Sequence, residues 1–454
     1  MAAQRDERPA QPRGCLRGHI AVTQTPATLS SGIMARSVGL DFGTTNSSLA
    51  VLDEGASPRL ASFNSSGTFR SILFFDADEQ GPNRLARPDA GAAAIDRYLE
   101  TGGNGRVLLS LKSFLADRTF SATDIFGRRF TLEELVSLIL VPMRRAAEQQ
   151  FGDLGRRVTV GRPVHFSGAA KAEDEERALR RLRTALAMAG WEEVTFAYEP
   201  IAAAYHYGAS AAREQLLLVG DFGGGTSDFC LLRVHPRAAM APRYEILGSD
   251  GVALAGDAFD GRIVRHLVAP ELGLGSSYRS PYGKVLPMPT TFYSRLERWH
   301  YLSTLKAPGT MHKLRALHTQ ALEPDKLAAF IRIVEEDLAY SLFGAVERAK
   351  VALSEKDATA FEFTAPPLTI MQAATRPEFE AWIARECREI EECIDRLMAA
   401  AGIQAEQVES LFLTGGSSLV PAIRTIFSAR FASAVIHSGD EFTSVARGLA
   451  MQAT

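Results

Sequence analysis

Asp41-Phe-Gly-Thr-Thr-Asn-Ser47 and Asp221-Phe-Gly-Gly-Gly-Thr-Ser-Asp228 are glycine-rich acidic turns set 180 positions apart, each following an apolar run that reads as a strand. Glycines and hydroxyls let backbone N–H groups approach phosphate oxygens with no Cβ in the way, and the leading Asp can hold a hydrated cation. One such turn is weak evidence. Two in the same strand context predict related lobes that close on one phosphate-bearing ligand.

The 454 residues suffice for two or more domains, and 46% apolar residues can fill sizeable cores. A formal charge of −3 recommends neither nucleic acid nor an anionic membrane as partner. The four cysteines, Cys15, Cys230, Cys387 and Cys393, form no C-x-x-C pair, and the nine histidines form no H-E-x-x-H. Neither a disulfide framework nor a zinc site is expected, and a cytoplasmic setting fits. With no run of about 18 apolar residues, no membrane span is predicted. Residues 1–35 are polar and read as a disordered N-terminal extension or the product of an upstream start codon, a transit peptide being the minor alternative.

Strands are predicted at 37–40 and 48–52, as a hairpin around the first turn, and at 71–75, 158–160, 194–197 and 215–219. Gly161-Arg-Pro163 is expected to break the fourth of these. Helices are predicted at 132–151, with Pro142 inside it, at 173–189, whose Arg/Glu face reads as solvated, and at 200–207. This strand, turn, helix, strand rhythm occurs twice and is that of an α/β chain. Beyond residue 252, an irregular stretch at 270–310 precedes helices at 326–353 and 376–401, which bracket a β-like segment at 360–370. A buried strand at 408–413 ends in Thr414-Gly-Gly-Ser-Ser418, and a last helix follows.

At this point a resemblance is specific. Val38-Gly-Leu-Asp-Phe-Gly-Thr-Thr-Asn-Ser47 and Asp221 to Asp228 resemble the two phosphate motifs of the heat shock protein 70 (DnaK-type) chaperones. Tyr198-Glu-Pro-Ile-Ala-Ala-Ala204 is similar to their connecting motif, and Leu411-Phe-Leu-Thr-Gly-Gly-Ser417 to their adenosine motif. Gly256-Asp-Ala-Phe-Asp260, Glu347-Arg-Ala-Lys-Val-Ala-Leu-Ser354 and Val445-Ala-Arg-Gly-Leu-Ala450 fall in the matching order. The resemblance implies an actin-like ATPase fold, with two lobes each built on a ribonuclease H-like mixed sheet flanked by helices. Lobe I would span 36–213, with a C-terminal helix at about 438–454 returning to it. Lobe II would span 214–437, including an insertion at about 252–400. Only four residues follow Ala450, so no peptide-binding domain is expected, and the single-domain YegD-like members are the nearest match.

Such an ATPase needs metal-bridged phosphates, a positioned water and donors for charge developing on the γ-phosphoryl group. Asp41 and Asp221 are expected to face Mg²⁺ that keeps several waters. Gly43, Thr44, Thr45, Asn46, Gly223, Gly224, Gly225 and Thr226 would cradle the phosphates of ATP or ADP. Glu199 and Asp228 would orient water, and Lys112 would reach the γ-phosphate. Glu347, Lys350 and Ser354 would reach the ribose and base edge, with Gly415, Gly416 and Ser417 as the nucleoside wall. Each choice has a plainer counterpart: Lys112 as a snorkelling lysine, Glu199 as a helix cap, the glycines as tight turns, Ala202 to Ala204 as close helix packing. Val351 and Leu419 stand where the family has arginines that stack on adenine. Losing two guanidinium–π contacts of about 1 kcal/mol each weakens affinity by roughly tenfold or more if nothing replaces them.

Three functions compete. One is a chaperone-like protein that binds ATP and hydrolyses it slowly; another is a nucleotide-gated interaction module with little turnover; the third is a small-molecule kinase of the same superfamily. Phosphate release without an acceptor separates the first two, and acceptor-dependent ADP formation marks the third. Client or partner proteins would follow from either of the first two. Tyr278, Tyr282, Phe292, Tyr293, Trp299 and Tyr301 read either as a partner surface or as a small core under a long loop.

Overall fold

The computed structural model describes residues 36–79, 87–208, 213–238, 241–298, 301, 305–336, 338–437 and 443–452. The expected N-terminal extension and Trp299 lie outside them. Strands β1 (Arg36–Asp41), β2 (Asn46–Asp53), β3 (Arg59–Leu60), β4 (Arg157–Arg162) and β5 (Glu193–Tyr198) lie in the order β3-β2-β1-β4-β5, and the short strand Phe69–Arg70 also pairs with β2. β1 runs antiparallel to β2 and parallel to β4. A second sheet repeats the plan. Strands β6 (Gln215–Phe222), β7 (Ser227–Ala238), β8 (Ala241–Val252), β9 (Ser410–Thr414) and β10 (Val435–His437) lie in the order β8-β7-β6-β9-β10. β6 is antiparallel to β7 and parallel to β9. Each glycine-rich turn joins the first strand of its sheet to the second, so the two turns are topological equivalents.

The central strands are buried almost continuously, as strands covered on both faces must be. Alternation then sorts their side chains. Val38, Leu40, Leu49 and Val51 face the helices α1 (Leu132–Phe151) and α2 (Ala172–Met188). Leu217, Val219, Cys230 and Leu232 of the second sheet face the alanines of α3 (Glu199–Gly208), while Leu218, Phe222, Phe229 and Leu231 turn to a large core on the other side. That core also takes the apolar face of α4 (Ala339–Glu355). A final helix, α5 (Ser444–Gln452), places Ala446 and Ala450 on Ala50 and Leu52, and Val445 and Leu449 among the α3 alanines. α3 and α5 thus lie between the sheets and cross closely: a Cβ on Gly448 would stand 1.7 Å from the Ala202 carbonyl oxygen. The alanine run 202–204 is the helix packing it reads as.

α1 starts where its capping box dictates. Thr131 Oγ1 accepts from the Glu134 N–H at 3.2 Å, and the Glu134 carboxylate accepts from the Thr131 N–H at 2.7 Å. The helix runs through Pro142 without interruption. A helical proline costs about 3 kcal/mol. Full burial of Leu135, Val136, Ile139, Leu140 and Met143, at about 1.5–3 kcal/mol each, outweighs it.

Four expectations are corrected. β4 continues through Gly161 to Arg162, because both residues pair with β5 and only Pro163 ends the ladder. The helix expected over 326–353 is two, Pro324–Glu335 and α4, and that over 376–401 is Arg376–Trp382 and Ala384–Ala401. The apolar faces of all four helices reach the same core, with Ile383 fully buried at the second break. The charged face of α2 is only partly solvated. Arg181 donates to the carbonyls of Phe114, Leu115, Asp117 and Phe120, and Asp174 is buried between Arg118 and Arg177. In the 270–310 stretch, Tyr293 is buried, donates to the Leu272 carbonyl at 3.0 Å and stacks on Phe330, whereas Tyr282 is exposed. The small-core reading holds for Phe292 and Tyr293.

Candidate functional site

The two glycine turns face each other across a cavity of about 400 Å³, within the size range of nucleotide-sized ligand sites. Asp41 closes β1, and Asp221 sits opposite Asp228 in the β6–β7 ladder. The first turn is tied by the Gly43 N–H to Ser47 Oγ at 3.1 Å, the second by the Gly223 N–H to the Thr226 carbonyl at 3.0 Å. Their approach is close: a Cβ on Gly224 would lie 3.0 Å from both Thr45 Oγ1 and Asp257 Oδ1. Asp41, Gly43 to Asn46, Asp221 and Gly223 to Thr226 all line the cavity.

Lys112 enters from a short 3₁₀ turn, Leu111–Phe114. Ser110 before it adopts the left-handed conformation at φ 54°, which costs a non-glycine residue on the order of 1 kcal/mol. That bend turns the chain from the strand Gly105–Leu109 towards the cavity, and Arg181 holds the carbonyls just beyond. Lys112 Nζ meets Glu199 Oε1 at 2.7 Å, with side chains only 10% and 7% exposed. The snorkelling reading of Lys112 is excluded by that burial. Glu199, the first residue of α3, turns its carboxylate to Lys112.

Negative charge is in excess here. Burial, then Glu199, raise Asp41 to about 7 against the pull of Lys112. Asp221 is pushed well above its ordinary value by burial, then by Glu199, Asp41 and Asp228. Burial and Glu199 raise Asp228 to about 7, although Thr226 and the Val164 N–H, at 2.7 Å, both donate to it. Burial opposes the charge on Lys112, but Glu199 and Asp41 overcome it and raise its pKa. Four carboxylates therefore share one ammonium. A group of this sign is balanced by bound cation, and the residues present fit a divalent ion that keeps its waters and binds through phosphate. Among the described residues no three His, Cys, Asp or Glu side chains converge into a protein-only metal cage. Mg²⁺ held by one or two carboxylates plus phosphates needs none.

The other end of the cavity is lined by Tyr340, Glu347, Lys350 and Val351 of α4 and by Gly415, Gly416, Ser417 and Leu419. Gly415, at φ 82°, makes the sharp exit from β9, and Ser417 Oγ donates to the Gly223 carbonyl at 3.2 Å, joining this wall to the second turn. Lys350 is engaged with Asp260 at 2.8 Å. Val351 and Leu419 are half-exposed on the rim. Two expected site residues are not part of the cavity wall: Asp228, buried behind the second turn, and Ser354, whose hydroxyl donates to the Lys350 carbonyl. Four charged or aromatic wall residues had no role assigned from sequence: Arg70, Asp257, Asp260 and Tyr340. Asp257 and Asp260 belong to a quoted motif and could have been found through it; Arg70 and Tyr340 carry no local signal.

Two equivalent mixed sheets, two small-residue helices between them and paired glycine turns over one acidic cavity define the actin-like ATPase fold. The Hsp70 protein family model matches residues 109–272 and 331–454, more than half of the sequence, and the chain belongs to that family. The match starts beyond the first glycine turn, whose equivalence rests on the sheet order. A chaperone protein HscA homolog of Pseudoalteromonas atlantica is 25% identical over 433 residues, covering 92% of this chain and 58% of its own length. The chain thus spans less than two thirds of that curated relative. No described helix is long and apolar enough to cross a membrane.

Proposed function

We propose that this chain binds ATP with Mg²⁺ and hydrolyses it slowly, as the nucleotide-handling machinery of a chaperone-like cytoplasmic protein. The observation that carries this is the facing of two topologically equivalent glycine turns across one cavity, with the buried Lys112–Glu199 pair between them. The relative's name as a chaperone and the family membership support it. The sheets would belong to two lobes, 36–213 with the C-terminal helix and 214–437, that open and close on nucleotide.

Mg²⁺, when bound, would supply charge neutralisation for the polyphosphate. Asp41 and Asp221 would hold its water shell, and the N–H groups of both turns would hold the phosphates. Lys112 reaches the γ-phosphoryl oxygens from its pairing with Glu199. Glu199 then orients the attacking water, with Thr226 at the opposite wall and Asp228 fixing Thr226 from behind. Positioning suffices because the transition state is loose. Glu347, Lys350, Ser417 and the glycines before it take the ribose and base.

A second reading, a nucleotide-gated interaction module with little turnover, is favoured by one feature, the apolar Val351 and Leu419 on the rim. Single-turnover hydrolysis of γ-labelled ATP with Mg²⁺ decides between them, with Lys112→Ala, Asp221→Asn and Thr226→Val as controls. Phosphate release that all three variants suppress supports the ATPase. Variants that hydrolyse at the unsubstituted rate refute the site, and tight binding without release favours the module.

A further inference from the structure

Arg70 lines the cavity and has no task in the reading above, yet it is the cation most firmly built into the first glycine turn. Its backbone pairs directly with Asn46, and the next residue is stitched down twice. The Ser71 N–H donates to the Thr45 carbonyl at 2.8 Å, and the Ser71 and Ser47 hydroxyls meet at 2.8 Å. The Arg70 guanidinium then spans the cavity mouth, donating to Asn46 Oδ1 at 3.2 Å and to Glu347 Oε2 of α4 at 3.3 Å. Five N–H donors meet two acceptors, so donor capacity remains.

Three cation–carboxylate pairs border the cavity. Lys112–Glu199 is 2.7 Å long and Lys350–Asp260 2.8 Å, each with both side chains less than a fifth exposed. Arg70–Glu347 is longer, at 3.3 Å, and has side chains 33% and 40% exposed. A loose, half-solvated pair is the cheapest to open, because water already screens most of its attraction.

We propose that Arg70 is the residue that reads the polyphosphate of the nucleotide from the sugar side. On binding, its guanidinium leaves Glu347 for the non-bridging phosphate oxygens nearest the ribose, and the freed Glu347 carboxylate accepts from the ribose hydroxyls. A planar fork suits two phosphate oxygens at once. The assignment rests on the nucleotide reading above. It also vests affinity in phosphate more than in the base, beside which the rim carries the apolar Val351 and Leu419.

The test is calorimetric titration of the unsubstituted chain, Arg70→Gln and Arg70→Lys with Mg-ADP and with adenosine. Arg70→Gln should weaken Mg-ADP by about tenfold or more while adenosine binds as well or slightly more tightly, because Glu347 is already free, and Arg70→Lys should recover part of the Mg-ADP loss. Unchanged Mg-ADP affinity in Arg70→Gln overturns the proposal. Equal weakening of ADP and adenosine also overturns it, because that is the signature of a structural role. So does faster association and dissociation at constant affinity, which marks a mere clasp across the mouth. An unsubstituted chain that binds neither ligand overturns the nucleotide reading itself, and the role of Arg70 with it.

Discussion

Replacing Lys112 by methionine should destabilise the nucleotide-free protein in a way that depends on pH. At 2.7 Å the Lys112–Glu199 attraction is roughly 6 kcal/mol in an effective dielectric of about 20, most of it offset by desolvating both ions. Removing the lysine alone leaves Glu199 buried beside Asp41 and Asp221 with no compensating charge, which costs about 3–5 kcal/mol. For a chain of this length that lowers Tm by about 3–5 °C, at roughly 1 °C per kcal/mol. The deficit is present at pH 8 and relieved as Asp41, raised to about 7, and Asp221, raised well above its ordinary value, take up protons towards pH 5.5. Adding Glu199→Gln to Lys112→Met removes the orphaned charge and should restore most of the loss. Differential scanning fluorimetry of both variants at the two pH values measures all of this. A Lys112→Met protein that melts with the unsubstituted chain at pH 8, or that the second substitution fails to rescue, would refute the view that this ammonium balances the site.

Burial, then Asp260, raises Asp257 to about 7 against the pull of Lys350. Its favourable contribution is complete below pH 4 and lost as pH rises through 7, so Asp257→Asn should gain about 1–2 kcal/mol at pH 8 and nothing at pH 4. Urea midpoints that move equally at both pH values would contradict it. Gly448→Ala drives a methyl into the Ala202 carbonyl and should cost about 3 kcal/mol in urea unfolding, and a neutral result would mean that α3 and α5 do not cross as described. Val351→Arg returns a guanidinium to the rim and should tighten ATP binding about fivefold through one cation–π contact. Unchanged affinity in a competition assay would show that position 351 does not reach the base.

The strands, turns and helices around the two acidic motifs were readable because their signals are local: an apolar run, a glycine turn, Thr131 followed by Glu134. Residues 215–222 illustrate the limit. The apolar run predicts a strand only to 219, but β6 carries on through Asp221 because β9 hydrogen-bonds to it from a segment nearly two hundred residues away. The long helices at 326–353 and 376–401 were read as continuous because their apolar period survives the kinks. Nothing in the period records a change of axis. The phosphate turns, Lys112 and Glu199 were placed by motif, and the cavity does gather them. Arg70 escaped because its position depends on strand register with Asn46, and Tyr340 because it depends on how α4 lies over the mouth. Ser354 was carried along with its motif, although its hydroxyl bonds within its own helix.

The docking of α5 on the first sheet sets a schedule for synthesis. Ala50 and Leu52 emerge early from the ribosome, but the Ala446 and Ala450 that cover them come roughly four hundred residues later. Even after β5 is finished, roughly 250 more residues must be made, which takes on the order of tens of seconds at ordinary translation speed. Through that interval the first half presents a bare apolar sheet face to the cell. This part of the first sheet is therefore completed only once α5 has been made.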